Sequence, residues 1–286
     1  MSPILRQVRV GHSPDPDDAF MMWAFHAGKL DTKHIDIRLV PEDIESLNQR
    51  AESGADPLEV TALSAATYAR LSTRYRLFRH GASFGDDYGP ILVSRDPSLS
   101  LEAFASGEHA IATPGARTTA YATLRMALPD ARCEQVPFDE ILPRVQDGTF
   151  AAGLLIHEGQ LTWAREGVHK LLDLGKWWAK ETGGLPLPLG VNTLRTDVAD
   201  GPDGALVSHL IKEAIDVALS HRADALAYAQ GFGRGIPTNE ADTLVGMYVN
   251  DMTQDMGARG EEALREWVRR AAKLGLVPSD ADVRFV

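Results

Sequence analysis

The stretch Gly153-Leu154-Leu155-Ile156-His157-Glu158-Gly159 combines residue types and spacing that could do chemistry. A short, continuous apolar run over residues 151–156 stops abruptly at His157 and Glu158, and Gly159 breaks the pattern straight after. Such a run suits a strand buried on both faces of a parallel sheet. Ligands of open α/β sheets gather at the carboxyl ends of their strands. An imidazole there can exchange protons near neutral pH. Position alone favours a histidine that only hydrogen-bonds a neighbouring loop, and the surrounding residues turn the reading toward function.

Two further segments are built for anions. Thr113-Pro114-Gly115-Ala116-Arg117-Thr118-Thr119 reads as a strand end, a tight turn and a helix start. Free backbone N–H groups, the hydroxyls of Thr118 and Thr119 and the Arg117 guanidinium would converge there on a carboxylate, although either threonine could simply cap the helix. Ser64 likewise opens a helix after the strand-like Ala62-Leu63, as a cap or as a ligand contact. His12-Ser13-Pro14-Asp15-Pro16-Asp17-Asp18 resembles a metal loop, but its carboxylates serve equally well as caps, with Asp15 at the N-cap and Pro16 at the first helical position; no metal is expected. Trp177-Trp178 could stack on an aromatic ligand, with at least one of the two in the core. The glycine-rich stretch from Gly231 to Gly235 follows no strand and matches neither nucleotide-binding loop. No zinc-protease helix and no Gly-x-Ser-x-Gly elbow occurs.

The elements that must position these groups alternate. Strands are expected over 7–11, 35–40, 58–61, 77–80 and 91–94, with helices over 16–28, 42–53 and 64–72 between them. A second such block follows: strands over 110–113, 134–137 and 151–156, and helices over 118–128 and 141–146. Extended segments over 171–175 and 190–193 lead to helices over 203–220, 223–229, 240–249 and 260–274. Helices that return to the first block imply two α/β lobes joined by two crossings, near 91–95 and 188–196. Lobe 1 would comprise residues 1–94 plus 196–286 and lobe 2 residues 95–195, with a ligand cleft between them.

Composition limits the partners. The chain has 286 residues, 44% hydrophobic and 24% charged, an ordinary balance for a soluble globular protein. Its 40 acidic side chains against 29 basic ones give a formal charge of −11. That field opposes nucleic acid and anionic membranes, and an anionic substrate would need a local cluster of donors. Cys133 stands alone, which excludes an internal disulfide and a Cys-based zinc site. No apolar run of 18 residues occurs, and the first residues lack the apolar core and cleavage site of a leader, so a cytoplasmic protein without membrane insertion is expected.

Several stretches, in order, resemble the 1,4-dihydroxy-6-naphthoate synthases of the futalosine route to menaquinone. They are His12-Ser13-Pro14-Asp15-Pro16-Asp17-Asp18-Ala19-Phe20, Arg117-Thr118-Thr119-Ala120-Tyr121, the His157 stretch, Leu172-Asp173-Leu174-Gly175-Lys176-Trp177-Trp178, Gly183-Gly184-Leu185-Pro186-Leu187-Pro188-Leu189-Gly190 and Tyr248-Val249-Asn250. The resemblance implies a two-lobed fold like that of type II periplasmic binding proteins. It also implies a carbon–carbon lyase that converts cyclic dehypoxanthinylfutalosine, a small-molecule carboxylate, to 1,4-dihydroxy-6-naphthoate without metal or organic cofactor. By motif, His157 matches the family's proton acceptor, and Thr118, Thr119 and the Ala62-Leu63-Ser64 segment match substrate contacts; Ser13 and Arg117 join these as candidate contacts. Many members carry Cys-Pro-Asn-Asp-Thr where this chain has Asp15-Pro16-Asp17-Asp18-Ala19, and a lysine can stand at the position of Ala62. Both departures bear on how the carboxylate is held. The competing readings are a chorismate dehydratase-like enzyme of the same pathway and a non-catalytic solute-binding protein of shared fold.

Overall fold

Apolar runs bounded by turn residues and helices with caps at their ends build two sheets in a computed structural model that describes residues 6–233 and 237–286. The first part of the chain forms β1 (Arg6–His12), α1 (Pro16–His26), β2 (Ile35–Pro41), α2 (Ile44–Ser53), β3 (Val60–Ser64), α3 (Ala65–Arg70), β4 (Tyr75–Leu77) and β5 (Ser83–Gly85). Next come β6 (Ile91–Ser94), α4 (Leu101–Ala105), β7 (Ala110–Thr113), α5 (Thr119–Ala127), β8 (Arg132–Gln135), α6 (Phe138–Gln146), β9 (Ala152–Leu155), α7 (Gly159–Thr162), β10 (His169–Asp173) and α8 (Leu174–Thr182). The chain returns through β11 (Leu187–Arg195) and α9 (Thr196–Ala199). It then runs helically through α10 (Gly204–Ser220), α11 (Arg222–Ala229), α12 (Thr238–Tyr248), α13 (Asp251–Gln254) and α14 (Gly257–Lys273). Within the glycine-rich stretch that begins at Gly231, Arg234 and Gly235 lie outside the described residues.

The first sheet has the order β2-β1-β3-β11-β4, with β5 also paired to β11. Strand β1 runs parallel to β2 and β3, and β11 runs antiparallel to β3, β4 and β5. The second sheet has the order β10-β6-β9-β7-β8. Here β9 is parallel to β7 but antiparallel to β6, so the sheet holding the His157 strand is mixed rather than purely parallel. Strand β6 pairs with β9 and β10, and β11 pairs in the first sheet. The chain therefore changes sheets ahead of Ile91 and ahead of Leu187, so that all of β6 lies in the second sheet and all of β11 in the first, where strand spacing put the divisions at 95 and 196.

One apolar core joins α1 to α10 beneath the first sheet, with Phe20, Met21, Ile211 and Ile215 fully buried. A larger one runs without a break from Leu63, Leu77 and Val191 of the first sheet to Leu92, Ile111 and Leu154 of the second, through Trp178 and Trp267. The Trp267 indole of α14 donates to the Thr123 hydroxyl of α5 at 3.0 Å, which fixes the helix returning to lobe 1 against lobe 2. On that side the lobes share a seam; on the other they face each other across a cleft. Strand β9, which leads into the cleft, is buried throughout. Its Gly153 is required by packing, because a Cβ there would lie 2.5 Å from the Ile141 side chain of α6. No helix among the described residues is long and apolar enough to cross a membrane.

Candidate active site

Two strand ends meet across the cleft. From the first lobe, β1 ends at His12 and the loop Ser13-Pro14-Asp15 leads to Pro16 at the start of α1. Asp15 occupies the N-cap position with extended φ −114° and ψ 155°, as its spacing before Pro16 predicts, but its carboxylate makes no capping hydrogen bond. Instead Asp15 Oδ2 accepts from the Ser13 hydroxyl and lies 3.2 Å from Nδ1 of His157.

His157 belongs to the opposite lobe, two residues beyond the end of β9. Its φ is +52°, the left-handed region, which costs a non-glycine residue about 1–2 kcal/mol. That turn takes the side chain out of the strand's alternation and aims the ring at the start of α1. Phe138, the first residue of α6, packs edge-on against the imidazole at 5.2 Å between ring centres. Strain held by packing on both sides is a recurrent property of functional positions.

The space between the lobes is a cavity of about 110 Å³. Ser13, Asp15, Asp17 and Asp18 line it from the first lobe, Ala62 and Ser64 from the end of β3, and Thr118, Thr119 and Ala120 from the start of α5. His157 and Gln160 close the second-lobe side, and Leu244 and Tyr248 of α12 form the roof. Tyr248 is buried, and its hydroxyl stands 2.8 Å from the Gln160 carboxamide. With the Gln160 nitrogen donating to the Gly89 carbonyl at 2.7 Å, its oxygen accepts from the Tyr248 hydroxyl and, at 3.3 Å, from the His157 N–H. The roof is thereby tied to the histidine's own backbone.

Burial dominates the electrostatics. Removal from water pushes the Asp17 carboxyl well above its ordinary range; the charges of Asp18 and Asp15 add to the rise, and His157 offsets part of it. Asp18 moves up for the same first reason, held back by the Ser13 N–H that donates to it at 2.7 Å. Carboxyls that retain protons near neutrality are hydrogen-bond donors as well as acceptors. Burial also drives the Tyr88 phenol up to about 12 and raises the Tyr248 phenol well above its ordinary value, so both remain neutral. Neither lysine nor arginine lines the cavity among the described residues. No group of three His, Cys, Asp or Glu side chains there is arranged to hold a metal ion.

The hydroxyls expected to meet a ligand differ in what they already do. Thr118 accepts from the Tyr121 N–H at 3.1 Å and donates to the Gly115 carbonyl at 2.8 Å, so it caps α5 while lining the cavity. Thr119 donates to the Leu189 carbonyl at 2.7 Å and accepts from Ala66 N–H at 3.3 Å, bridging α5 to the first lobe. Ser64 makes no cap bond; its backbone and hydroxyl are both held, at 3.0 Å, by the carboxamide of buried Asn48 on α2.

Two expected contacts lie elsewhere. Leu63 is fully buried in the core, because its side chain points to the face of β3 opposite Ala62 and Ser64. Arg117 turns away from the cavity to pair with Glu52 at 2.6 Å and Glu45 at 3.1 Å on α2, so its charge serves an ion-pair network rather than a ligand. Trp178 lies in the core, its indole donating to the Pro186 carbonyl at 3.0 Å. In sequence Asp15, Asp17 and Asp18 serve equally well as caps, and Gln160 and Asn48 stand out in no motif. The available signal was three carboxylates within four positions beside His12, more than one helix start uses.

A family model described as menaquinone biosynthesis matches residues 8–273. A 1,4-dihydroxy-6-naphthoate synthase of Thermus thermophilus is 35% identical over 282 residues, spanning 99% of this chain and all of the relative. The crystal structure of a protein from Archaeoglobus fulgidus superposes with a TM-score of 0.86 at 40% identity, covering 95% of this chain and 98% of that one. The periplasmic aliphatic sulphonate-binding protein of Escherichia coli superposes with a TM-score of 0.68 at 13% identity, over 97% and 96% of the two chains. That likeness fixes the architecture as the two-lobed α/β fold of periplasmic binding proteins, as the sequence had led us to expect. With matches to the family model and to a full-length naphthoate synthase, the chain belongs to the menaquinone biosynthesis family.

Proposed function

We propose that this enzyme is a carbon–carbon lyase that converts cyclic dehypoxanthinylfutalosine to 1,4-dihydroxy-6-naphthoate, with His157 as the base. The observation that carries this reading is the single imidazole among the described residues of the cavity lining, its Nδ1 turned to Asp15. That geometry leaves Nε2 to take a proton from the substrate. Loss of the proton lets the bond between the sugar-derived portion and the ring system break, and formation of an aromatic product supplies the driving force. The reading requires no metal and no organic cofactor.

With no lysine or arginine in the lining, the substrate carboxylate relies on neutral donors. The amides of Thr119 and Ala120 open α5 and have no partner within the helix, which suits an anion. The Ser64 hydroxyl, held by Asn48, and protonated Asp17 add donors on the first-lobe side. A metabolite of this kind fits a cytoplasmic enzyme that engages neither nucleic acid nor membrane.

The test is anaerobic incubation of the purified protein with cyclic dehypoxanthinylfutalosine, with chromatography for 1,4-dihydroxy-6-naphthoate. Product is expected from the wild type, and His157→Ala is expected to lose at least 10²-fold in kcat, in line with removal of a general base. Wild-type turnover by a folded His157→Ala variant would remove the histidine from the mechanism. Turnover of chorismate in place of the naphthoate precursor would move the enzyme to the dehydratase reading.

A further inference from the structure

We infer that Asp15 is a positioning residue for His157, supplied by the opposite lobe, so that the working base exists only when the lobes are closed. The inference rests on the reading of His157 as the base and goes beyond it by naming what orients the imidazole and when.

Three observations lead there. First, Asp15 sits at a helix N-cap without capping, although its backbone has the extended conformation that a capping side chain normally uses. Its carboxylate is 1% exposed and directed across the cleft, with Oδ2 at 3.2 Å from His157 Nδ1. Second, the carboxylate is itself held: the Ser13 hydroxyl donates to the same Oδ2 that faces the imidazole. The order Ser13–Asp15–His157 is that of a support, an orienting carboxylate and a base, which fixes the proton on Nδ1 and leaves Nε2 basic. Third, the histidine is placed by a left-handed backbone and the edge of Phe138, both of which bring the ring toward α1.

The partners belong to different sheets. Asp15 follows β1 of the first, and His157 follows β9 of the second. Opening the cleft separates them, and closing it joins them while Tyr248 of the roof engages Gln160, three residues from the histidine. An open enzyme therefore carries an imidazole with no fixed tautomer. Proton abstraction begins only around a bound, water-shielded substrate, a form of closure that completes the catalytic group.

Asp15→Asn tests this, because it keeps the side chain's shape and removes its charge. The expected result is a loss of 10² or more in kcat with KM within about threefold of wild type, the pattern of a group acting in the transition state rather than in binding. In 15N-histidine spectra the wild type should carry its proton on Nδ1 of His157 once 1,4-dihydroxy-6-naphthoate is added. Asp15→Asn should lose that single tautomer. Should Asp15→Asn not fold, Ser13→Ala is the second variant; it leaves Asp15 in place and should lower kcat roughly tenfold by freeing the carboxylate. Unchanged kcat, or a His157 spectrum identical in wild type and Asp15→Asn, overturns the proposal. A spectrum indifferent to the product overturns its link to closure. If the wild type makes no naphthoate product, the substrate reading fails, and the spectra of wild type and Asp15→Asn taken with 1,4-dihydroxy-6-naphthoate, which need binding but no turnover, still decide whether Asp15 governs the imidazole.

Discussion

His157 and His80 show how one residue type takes opposite roles from its surroundings. His157 lies at a cavity with a carboxylate on Nδ1; His80 is buried between β4 and β5, stacked on Phe78 at 5.0 Å, with Nε2 unpartnered among the described residues. Burial, aided by Lys212, pushes His80 down to about 4. An unfolded histidine takes up its proton near pH 6.5, whereas the folded protein refuses it until about pH 4, so the unfolded state binds more protons between those values. Stability must therefore fall as pH drops through that window, by about 3 kcal/mol at most from this residue. His80→Phe keeps the stacked ring and abolishes the titration. In urea denaturation it should gain on the wild type between pH 7 and pH 4.5; a constant difference between the two proteins across that range would show that His80 contributes nothing to acid sensitivity. Strand spacing puts both histidines at the end of an expected strand, over 77–80 and 151–156. What separates them is the charge each ring faces, Asp15 for His157 and Lys212 for His80, both far away along the chain.

Elements were legible where their ends carry chemistry of their own. Strands β1, β2, β6 and β7 lie where apolar runs bounded by breakers put them, and α5 begins at the threonine pair that signals it. Helix α8 was not expected, yet it is framed by Asp173, which accepts from the Gly175 and Lys176 N–H groups, and by Gly183 at φ +71°, both standard stop and start signals. The two adjacent tryptophans drew the reading toward a ligand and away from that frame. Strand β5, three residues long, is placed by its pairing with β11 and by Phe84 in the core, and has no local signal. At α5 the cap and the site coincide, and this gives a prediction. Thr118→Ala removes the bond to the Tyr121 N–H and should cost about 1 kcal/mol in urea denaturation, whereas Thr118→Ser, which retains the oxygen, should cost a few tenths. Equal losses in both variants would mean that the methyl group, not the hydroxyl, holds the turn. Because the Thr119 and Ala120 amides are aimed by the same turn, Thr118→Ala should also raise KM while Thr118→Ser leaves it near wild type.

For the molecule as a whole, periodicity and the helical carboxyl-terminal third made two lobes and a cleft legible, but not which residues cross that cleft. Crossing contacts join positions such as 15 and 157 or 165 and 240, and no local pattern reports them. On the proposal that the lobes open and close, these contacts are made only in the closed form. Besides the Asp15–His157 contact and the Tyr248–Gln160 bond, the rim carries a clasp in which Arg165 of the second lobe holds both carboxylate oxygens of Glu240 on α12, one of them at 2.9 Å. The arginine is half exposed, so solvent and salt weaken the pair, and its effect on global stability should be within error. Its effect on closure is different in kind, because a contact made only in the closed form shifts that equilibrium by its whole free energy. Arg165→Ala should therefore raise KM by roughly twofold to fivefold at low salt, with kcat unchanged because the cavity lining is untouched. The gap between variant and wild type should narrow as ionic strength rises and screens the pair in the wild type. Small-angle scattering with saturating product should give the same compact profile for both proteins, while the ligand-free variant should be more expanded than the ligand-free wild type. A variant with lowered kcat and unaltered KM would place Arg165 in the chemistry rather than the clasp, and identical ligand-free profiles with identical KM would leave closure to the contacts deeper in the cleft.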